Sequence, residues 1–254
     1  STPTPKTLED LLAWLDQRLS ERDYRGIAIS VPGAVHQETG VIEGISAIPY
    51  IHGFSWYDAL AHHQLPIHLE NDANCVGLSE LLAHPEIENA ACVVIGTGIG
   101  GAMIINGKLH RGRHGLGGEF GYMTTIEPAK RLNNWSLLAS TGNMVRYVIE
   151  KSGQSDWDGR KIYQEAAAGN ALCQEAIERM NRNLAQGLLN IQYLIDPDVI
   201  SLGGSISQNP DFIKGVQKAV DTFVKTYEEY TIAPVIQACT YHADANLYGA
   251  LVNW

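Results

Sequence analysis

The sequence predicts an α/β protein built as two lobes. Three observations lead there. Apolar segments with strand spacing alternate with segments of helical spacing along all 254 residues, the pattern of a sheet layered with helices. Hairpin signals crowd the first half, and helices dominate the second. The composition, 45% hydrophobic and 18% charged, is that of a folded rather than a disordered chain, and a chain this long buries a sizeable core without staples. The expected lobes are residues 1–110 and 111–254, with the change of character near 105–135.

Each element has its own signal. Leu8, Leu11, Leu12, Leu15 and Leu19 recur at helical spacing, and Thr7 with Asp10 resembles a capping box in which Asp replaces the usual Glu or Gln. Gly26-Ile27-Ala28-Ile29-Ser30-Val31 reads as a buried strand stopped by Pro32-Gly33. Val35 to Ile45, with Thr39-Gly40 inside it, reads as a hairpin. Trp56 to His63 is a short helix, Pro66 to Glu70 a strand, and Ala73 to Ala83 a helix. Ala91 to Ile95 and Gly101 to Ile105 are strands. The second turns at Asn106-Gly107, a type I′ hairpin signal, into Lys108-Leu109-His110. Arg111 to Gly121 is a glycine-rich loop. Helices follow over Trp135 to Lys151, Arg160 to Ala168 and Ala171 to Ile195. The last is ended by Asp196-Pro197, because proline bars the residue before it from the right-handed helical region. Asp198 to Leu202 is a strand, Asp211 to Tyr227 a helix, Pro234 to Ala238 a strand and Leu247 to Asn253 a helix.

Charge and cysteine usage exclude several function classes. The net charge is −10 and no basic block occurs, which argues against nucleic acid as a partner. Cysteines stand at 75, 92, 173 and 239 with no Cys-x-x-Cys; that spacing argues against a disulfide framework and suits the reduced cytoplasm. Ser1-Thr2-Pro3-Thr4-Pro5 has neither the charge nor the apolar stretch of a signal peptide. The uncharged run from Ala90 to Ile105 holds four glycines and is shorter than the ~20 residues that span a bilayer, so no membrane partner is expected. The nine histidines show no metal-binding spacing; His52 and the pair His62-His63 read as surface or core residues.

Four segments carry chemistry. Gly96-Thr97-Gly98-Ile99-Gly100-Gly101 formally matches the dinucleotide fingerprint, but a strand follows where that motif needs a helix. What survives is a glycine turn between antiparallel strands, either a nest of N–H groups for phosphate or a plain tight turn. Leu202-Gly203-Gly204 follows a strand and lets backbone pack against a flat group, or simply turns the chain. Glu70-Asn71-Asp72-Ala73-Asn74 sits at a strand-to-helix junction. One of these residues must cap the helix, yet the polar groups exceed what a cap needs, and one carboxylate can take a proton from a hydroxyl. Gly117-Gly118-Glu119-Phe120-Gly121-Tyr122 sets one acid among glycines. Arg111, Arg113 and His114 before it read as an exposed basic loop, with a phosphate contact as the alternative.

Taken in order, these segments resemble the ROK family (repressors, open reading frames and sugar kinases) of the actin-like ATPase superfamily. Ile29 to Gly33 with Thr39-Gly40-Val41 resembles its V-P-G-x-V…G-V segment, and Glu70 to Asn74 with Glu80 its N-D-A-N…E segment. Gly96 to Gly101 resembles its second phosphate loop, Gly117 to Met123 its G-x-x-G-E-x-G-H-M, and Leu202 to Gly204 its adenosine loop. The likeness covers nearly the whole chain.

The resemblance implies a two-lobed actin-like ATPase (ribonuclease H-like) fold that phosphorylates a sugar hydroxyl, usually O6, with ATP in a cleft between the lobes. It implies Asp72 as general base, with Gly33, Asn71, Glu119 and Tyr122 at the sugar. Thr97, Gly98, Gly100 and Gly101 would face the phosphates, Gly203 and Gly204 the adenosine, and Mg2+ would arrive with the nucleotide. The family is commonly dimeric, so a homodimer is expected.

Three departures stand out. No D-x-G-G-T loop precedes the first helix; either that segment is not in this chain or ATP binding is impaired, and the intact downstream motifs favour the former. Tyr122 replaces the histidine of the family's zinc site, and Arg131-Leu132-Asn133-Asn134-Trp135 replaces its cysteine run, so no structural zinc is expected. Ser136 stands where a glutamate usually grips the sugar near O1 and O2, and Pro49 to Trp56 is altered as well. A pocket relaxed on that side would admit a glycoside, its aglycone stacking on Tyr50, Tyr122 or Trp135. This pattern is similar to the β-glucoside kinase branch. A sugar-sensing regulator or a catalytically inactive relative are the alternatives.

Overall fold

In a computed structural model of the chain, which describes residues 2–44, 46–126 and 132–252, the first helix, α1 (Leu8–Leu19), begins where its cap predicts. The Thr7 hydroxyl accepts the Asp10 N–H at 3.1 Å and donates to the Asp10 carboxylate at 2.7 Å. Asp10, one methylene shorter than Glu, closes onto the hydroxyl rather than onto the Thr7 backbone. The leucines of α1 lie half-buried against a core of Val31, Ile42, Trp56, Leu60 and Leu69.

β1 (Ile27–Val31) is followed by the hairpin β2 (Ala34–His36) and β3 (Val41–Glu43). The hairpin expectation reached Ile45, which lies outside the described residues. α2 (Trp56–Leu60) is shorter than expected, because Ala61–His63 tighten into a 3-10 turn that ends at Gln64 with φ +55°. β4 (Ile67–Asn71) pairs in parallel with β1, Val31 opposite Asn71, and runs directly into α3 (Asp72–Ala83).

β5 (Ala90–Ile95), β6 (Ile99–Ile105) and β7 (Lys108–Leu109) form an antiparallel meander. β8 (Thr124–Ile126) and β9 (Leu132–Asn134) form a small hairpin that local spacing did not announce. The helix expected over Trp135 to Lys151 is two: α4 (Trp135–Ala139) and α5 (Thr141–Ser152). Ser140 breaks it, adopting extended backbone and accepting the Asn143 N–H at 3.1 Å as the cap of α5. The break docks the start of α5 onto the glycine turn, where the Gly142 N–H donates to the Gly96 carbonyl at 3.1 Å.

α6 (Gly159–Ala167) and α7 (Ala171–Ile195) follow, and α7 ends at Asp196 in the left-handed conformation, φ +49°. β10 (Val199–Gly203), α8 (Pro210–Thr226), β11 (Ile236–Ala238) and α9 (Ala245–Val252) complete the order. The last helix expectation included Asn253, which lies outside the described residues. The main sheet runs β11-β10-β5-β6-β7, with β10 parallel to both β5 and β11. α4 to α8 bury their apolar faces against it in the largest core. Trp135 anchors that core: its indole N–H donates to the Asn183 carbonyl at 2.8 Å, and its ring fills the space a side chain at Gly187 would take. Among the described residues no helix is long and apolar enough to cross a membrane.

Candidate active site

The β4–α3 junction explains why Asp72 is free to face the cavity. A helix start needs partners for its first N–H groups, and Asn71 supplies them. Its side-chain oxygen accepts the Asn74 N–H at 3.0 Å, while its amide donates to the Gly33 carbonyl at 3.1 Å. Asp72 is thereby released from capping. One of its oxygens accepts the Ala73 N–H at 2.8 Å, and the carboxylate lines a cavity of about 580 Å3.

Glu70 holds this junction from below. It is buried, 2% exposed. One oxygen accepts the Asn71 N–H and the Asn74 side-chain amide, both at 2.9 Å. The other takes Nε and Nη2 of Arg111, both at 2.7 Å. Arg111 is thus not simply an exposed loop cation, as its surroundings in sequence implied; it ties the glycine-rich loop to the strand end that carries Asp72.

The same cavity collects Gly33, Asn71, Glu119 and Tyr122 together with Gly96, Gly98 and Gly100. Burial pushes the Glu119 carboxyl up, and the charge of Asp72 pushes it further. Burial likewise raises Asp72, against the pull of the Ala73 and Asp72 backbone N–H groups. The charge of Asp72 thus reaches Glu119 across the cavity. Gly33 has φ +106°, and a side chain there would strike Ile42 and the Glu43 carbonyl. Tyr122 stands at the rim, 70% exposed, with exposed Leu116 beside the same opening.

The glycine turn is a three-residue link: Ile95 pairs with Ile99, and the Gly96 N–H donates to the Gly98 carbonyl at 2.9 Å. Thr97 is exposed at its tip. Gly101 lies deeper in β6, where Phe120 and the Gly118 carbonyl fill the place of a side chain; it does not line the cavity. Gly203 is buried beside Val94, a cavity residue, and Gly204, φ +89°, passes so close to the Ile95 carbonyl that any side chain would collide. These two glycines also lie outside the cavity lining.

Ser136 is fully engaged. Its hydroxyl accepts the Ile99 N–H at 2.9 Å and donates to the Ile99 carbonyl at 3.2 Å, latching α4 to β6. Of the three aromatics considered for stacking, Trp135 is buried in the core and the Tyr50 hydroxyl donates to the Pro5 carbonyl; Tyr122 alone of the three lines the cavity. Sequence reading missed Asn246 of α9, which reaches the cavity from the far end of the chain. In the segment that replaces the cysteine run, Asn134 caps α4 through the Leu137 N–H at 2.9 Å, and Arg131 lies outside the described residues. The four cysteines are free and buried, and burial pushes the Cys75 thiol up to about 12.

Comparison with known proteins identifies the family. The chain is 33% identical over 255 residues to a β-glucoside kinase of Listeria monocytogenes, covering 97% of this chain and 85% of that protein. It is 31% identical over 259 residues to a β-glucoside kinase of Klebsiella pneumoniae, covering 98% and 83%. The crystal structure of a ROK family protein from Streptococcus pneumoniae in complex with sucrose superposes with a TM-score of 0.96 at 86% identity, covering 100% of this chain and 88% of that one. The fold is that of the ROK sugar kinases, an actin-like ATPase fold. With the sequence model of the family matching residues 1–254, the chain belongs to the ROK family.

Proposed function

We propose that the protein transfers the terminal phosphoryl group of ATP to O6 of a hexose or β-glucoside, with Asp72 as general base. One observation carries the reading: Asp72 and Glu119 stand in one cavity with the glycine turn Gly96–Gly100. The sugar hydroxyl donates to the Asp72 carboxylate, its oxygen attacks phosphorus, and the bond to the ADP oxygen breaks. The proton stays on Asp72 and then leaves to solvent. Asn71, the Gly33 backbone and Glu119 hold the other hydroxyls. The turn N–H groups not already bonded, as Gly96 is to the Gly98 carbonyl and Ile99 to Ser136, face the phosphates, with the start of α5 behind them; Gly203 and Gly204 border the adenosine. Mg2+ would come with the nucleotide and neutralise phosphate charge when bound, leaving Asp72 as base and Glu119 at the sugar.

A glycoside rather than a free sugar is favoured by the rim. Tyr122 and Leu116 give an apolar edge for a second ring, Ser136 is occupied with Ile99, and two relatives are named β-glucoside kinases. The expected lobe boundary at 110 moves to before Ala90, because β5, β6 and β7 share the main sheet with β10 and β11. A homodimer in a reducing cytoplasm completes the reading, in keeping with four free thiols. The test is a coupled assay of the natural full-length polypeptide with Mg-ATP and cellobiose, glucose or N-acetylmannosamine. Cellobiose turnover with ADP release is expected. Activity on N-acetylmannosamine alone removes the glycoside reading; sugar binding with no ADP release favours an inactive relative.

A further inference from the structure

A second cluster of chemistry-bearing side chains lies away from the cavity. α1 has no fully buried residue, so it is held by half-buried leucines and by what its flank touches. On that flank Asp16 meets the turn after α2. His62 and His63, consecutive in the chain, stack with ring centroids 4.1 Å apart. Both aim Nε2 at the same Asp16 oxygen, at 3.1 and 2.8 Å. The three donor atoms all lie within 4.8 Å of one another.

Those separations resemble the spacing of ligands around one ion. In a tetrahedral site with bonds of about 2.0–2.1 Å, neighbouring ligand atoms stand roughly 3.4 Å apart. A small opening of the cluster therefore seats a metal among the three donor atoms. We propose that Asp16, His62 and His63 form a site for a divalent transition metal of the zinc type, which staples α1 to the turn that follows α2. Two imidazoles and one carboxylate select Zn2+, Co2+ or Ni2+ over Mg2+ and Ca2+. Each histidine binds through the Nε2 lone pair, its ring proton residing on Nδ1. Asp16 and His62 are about half exposed, at 47% and 57% of their side chains, and His63 is 15% exposed, so water completes the coordination. The cluster is separate in sequence from residues 122–135, where the family's zinc histidine and cysteines would fall.

The experiment uses tag-free full-length protein stripped with a chelator. Cobalt titration is expected to give visible d–d absorption saturating at one equivalent, displaced by zinc. Zinc at a hundredfold excess over its Kd is expected to raise the melting temperature by roughly 5–10 °C. Both signals are expected to vanish in Asp16→Asn, His62→Ala and His63→Ala, and to persist in His84→Ala. Far-UV circular dichroism of the metal-free variants checks folding; if His63→Ala is unfolded, the more exposed His62→Ala decides. No cobalt absorption in the wild type, or absorption and stabilisation that survive in a folded His62→Ala, overturns the proposal and leaves Asp16 as a plain acceptor of two histidine hydrogen bonds.

Discussion

Arg111 grips Glu70 through two nitrogens, both 2.7 Å from one carboxylate oxygen, and so joins the loop that bears Glu119 to the strand end that bears Asp72. Breaking a buried ion pair by deleting one partner leaves an uncompensated charge. Arg111→Met is expected to cost about 2–4 kcal/mol, less than a fully buried pair because the guanidinium is partly exposed. The double variant Glu70→Gln, Arg111→Met is expected to cost less than Arg111→Met alone, since the orphaned charge is gone. Urea midpoints decide; additive losses contradict the coupling.

Asn71 serves both helix and site. Asn71→Ala removes the cap of α3 and the bond to the Gly33 carbonyl. The expected loss is about 1–2 kcal/mol in urea unfolding, with a raised KM for sugar. A variant as stable as wild type would remove the cap assignment.

The two cavity acids set a pH signature. Burial raises Asp72 and Glu119 above their ordinary values. A carboxyl with a raised folded pKa contributes stability that is fully present below its unfolded value, about 3.9–4.3, and is lost as pH rises through the folded value. At neutral pH both acids therefore weaken the fold. Asp72→Asn and Glu119→Gln are expected to melt above wild type at pH 7, with the gain shrinking toward pH 3–4. Variants that melt lower at pH 7 would contradict this. In the kinase reading, the acid limb of kcat/KM follows Asp72 and is displaced upward from the range of an ordinary aspartate.

Tyr122 tests the rim. Tyr122→Ala is expected to raise KM for cellobiose about 3–10-fold, the value of a lost ring contact, with KM for glucose unchanged. Equal effects on both sugars would place the aglycone elsewhere.

Much of this was legible because the signals were local. Thr7 and Asp10 cap α1, Asp196-Pro197 ends α7, and a strand after Gly96–Gly98 already excluded a dinucleotide fold. The Glu70–Asn74 run announced its surplus of polar groups, though not that Asn71, rather than its neighbours, is the cap. Long-range pairing was not legible. Ser140 breaks a helix whose spacing looked continuous, because the start of α5 docks on Gly96, far back in the chain. Arg111 read as a loop cation since its partner is 41 residues away. His62 and His63 read as bland because Asp16 lies 46 residues before the first of them. Trp135 looked available for stacking until Gly187 of α7 received its ring.

The central claim is that the Asp72 carboxylate takes the proton of the attacking hydroxyl. The most direct measurement compares kcat and sugar Kd for wild type and Asp72→Asn at pH 7, with melting curves showing that both are folded. In Asp72→Asn kcat is expected to fall by about two to four orders of magnitude, while sugar Kd changes only a few-fold. A folded variant that turns over at near the wild-type rate would contradict it.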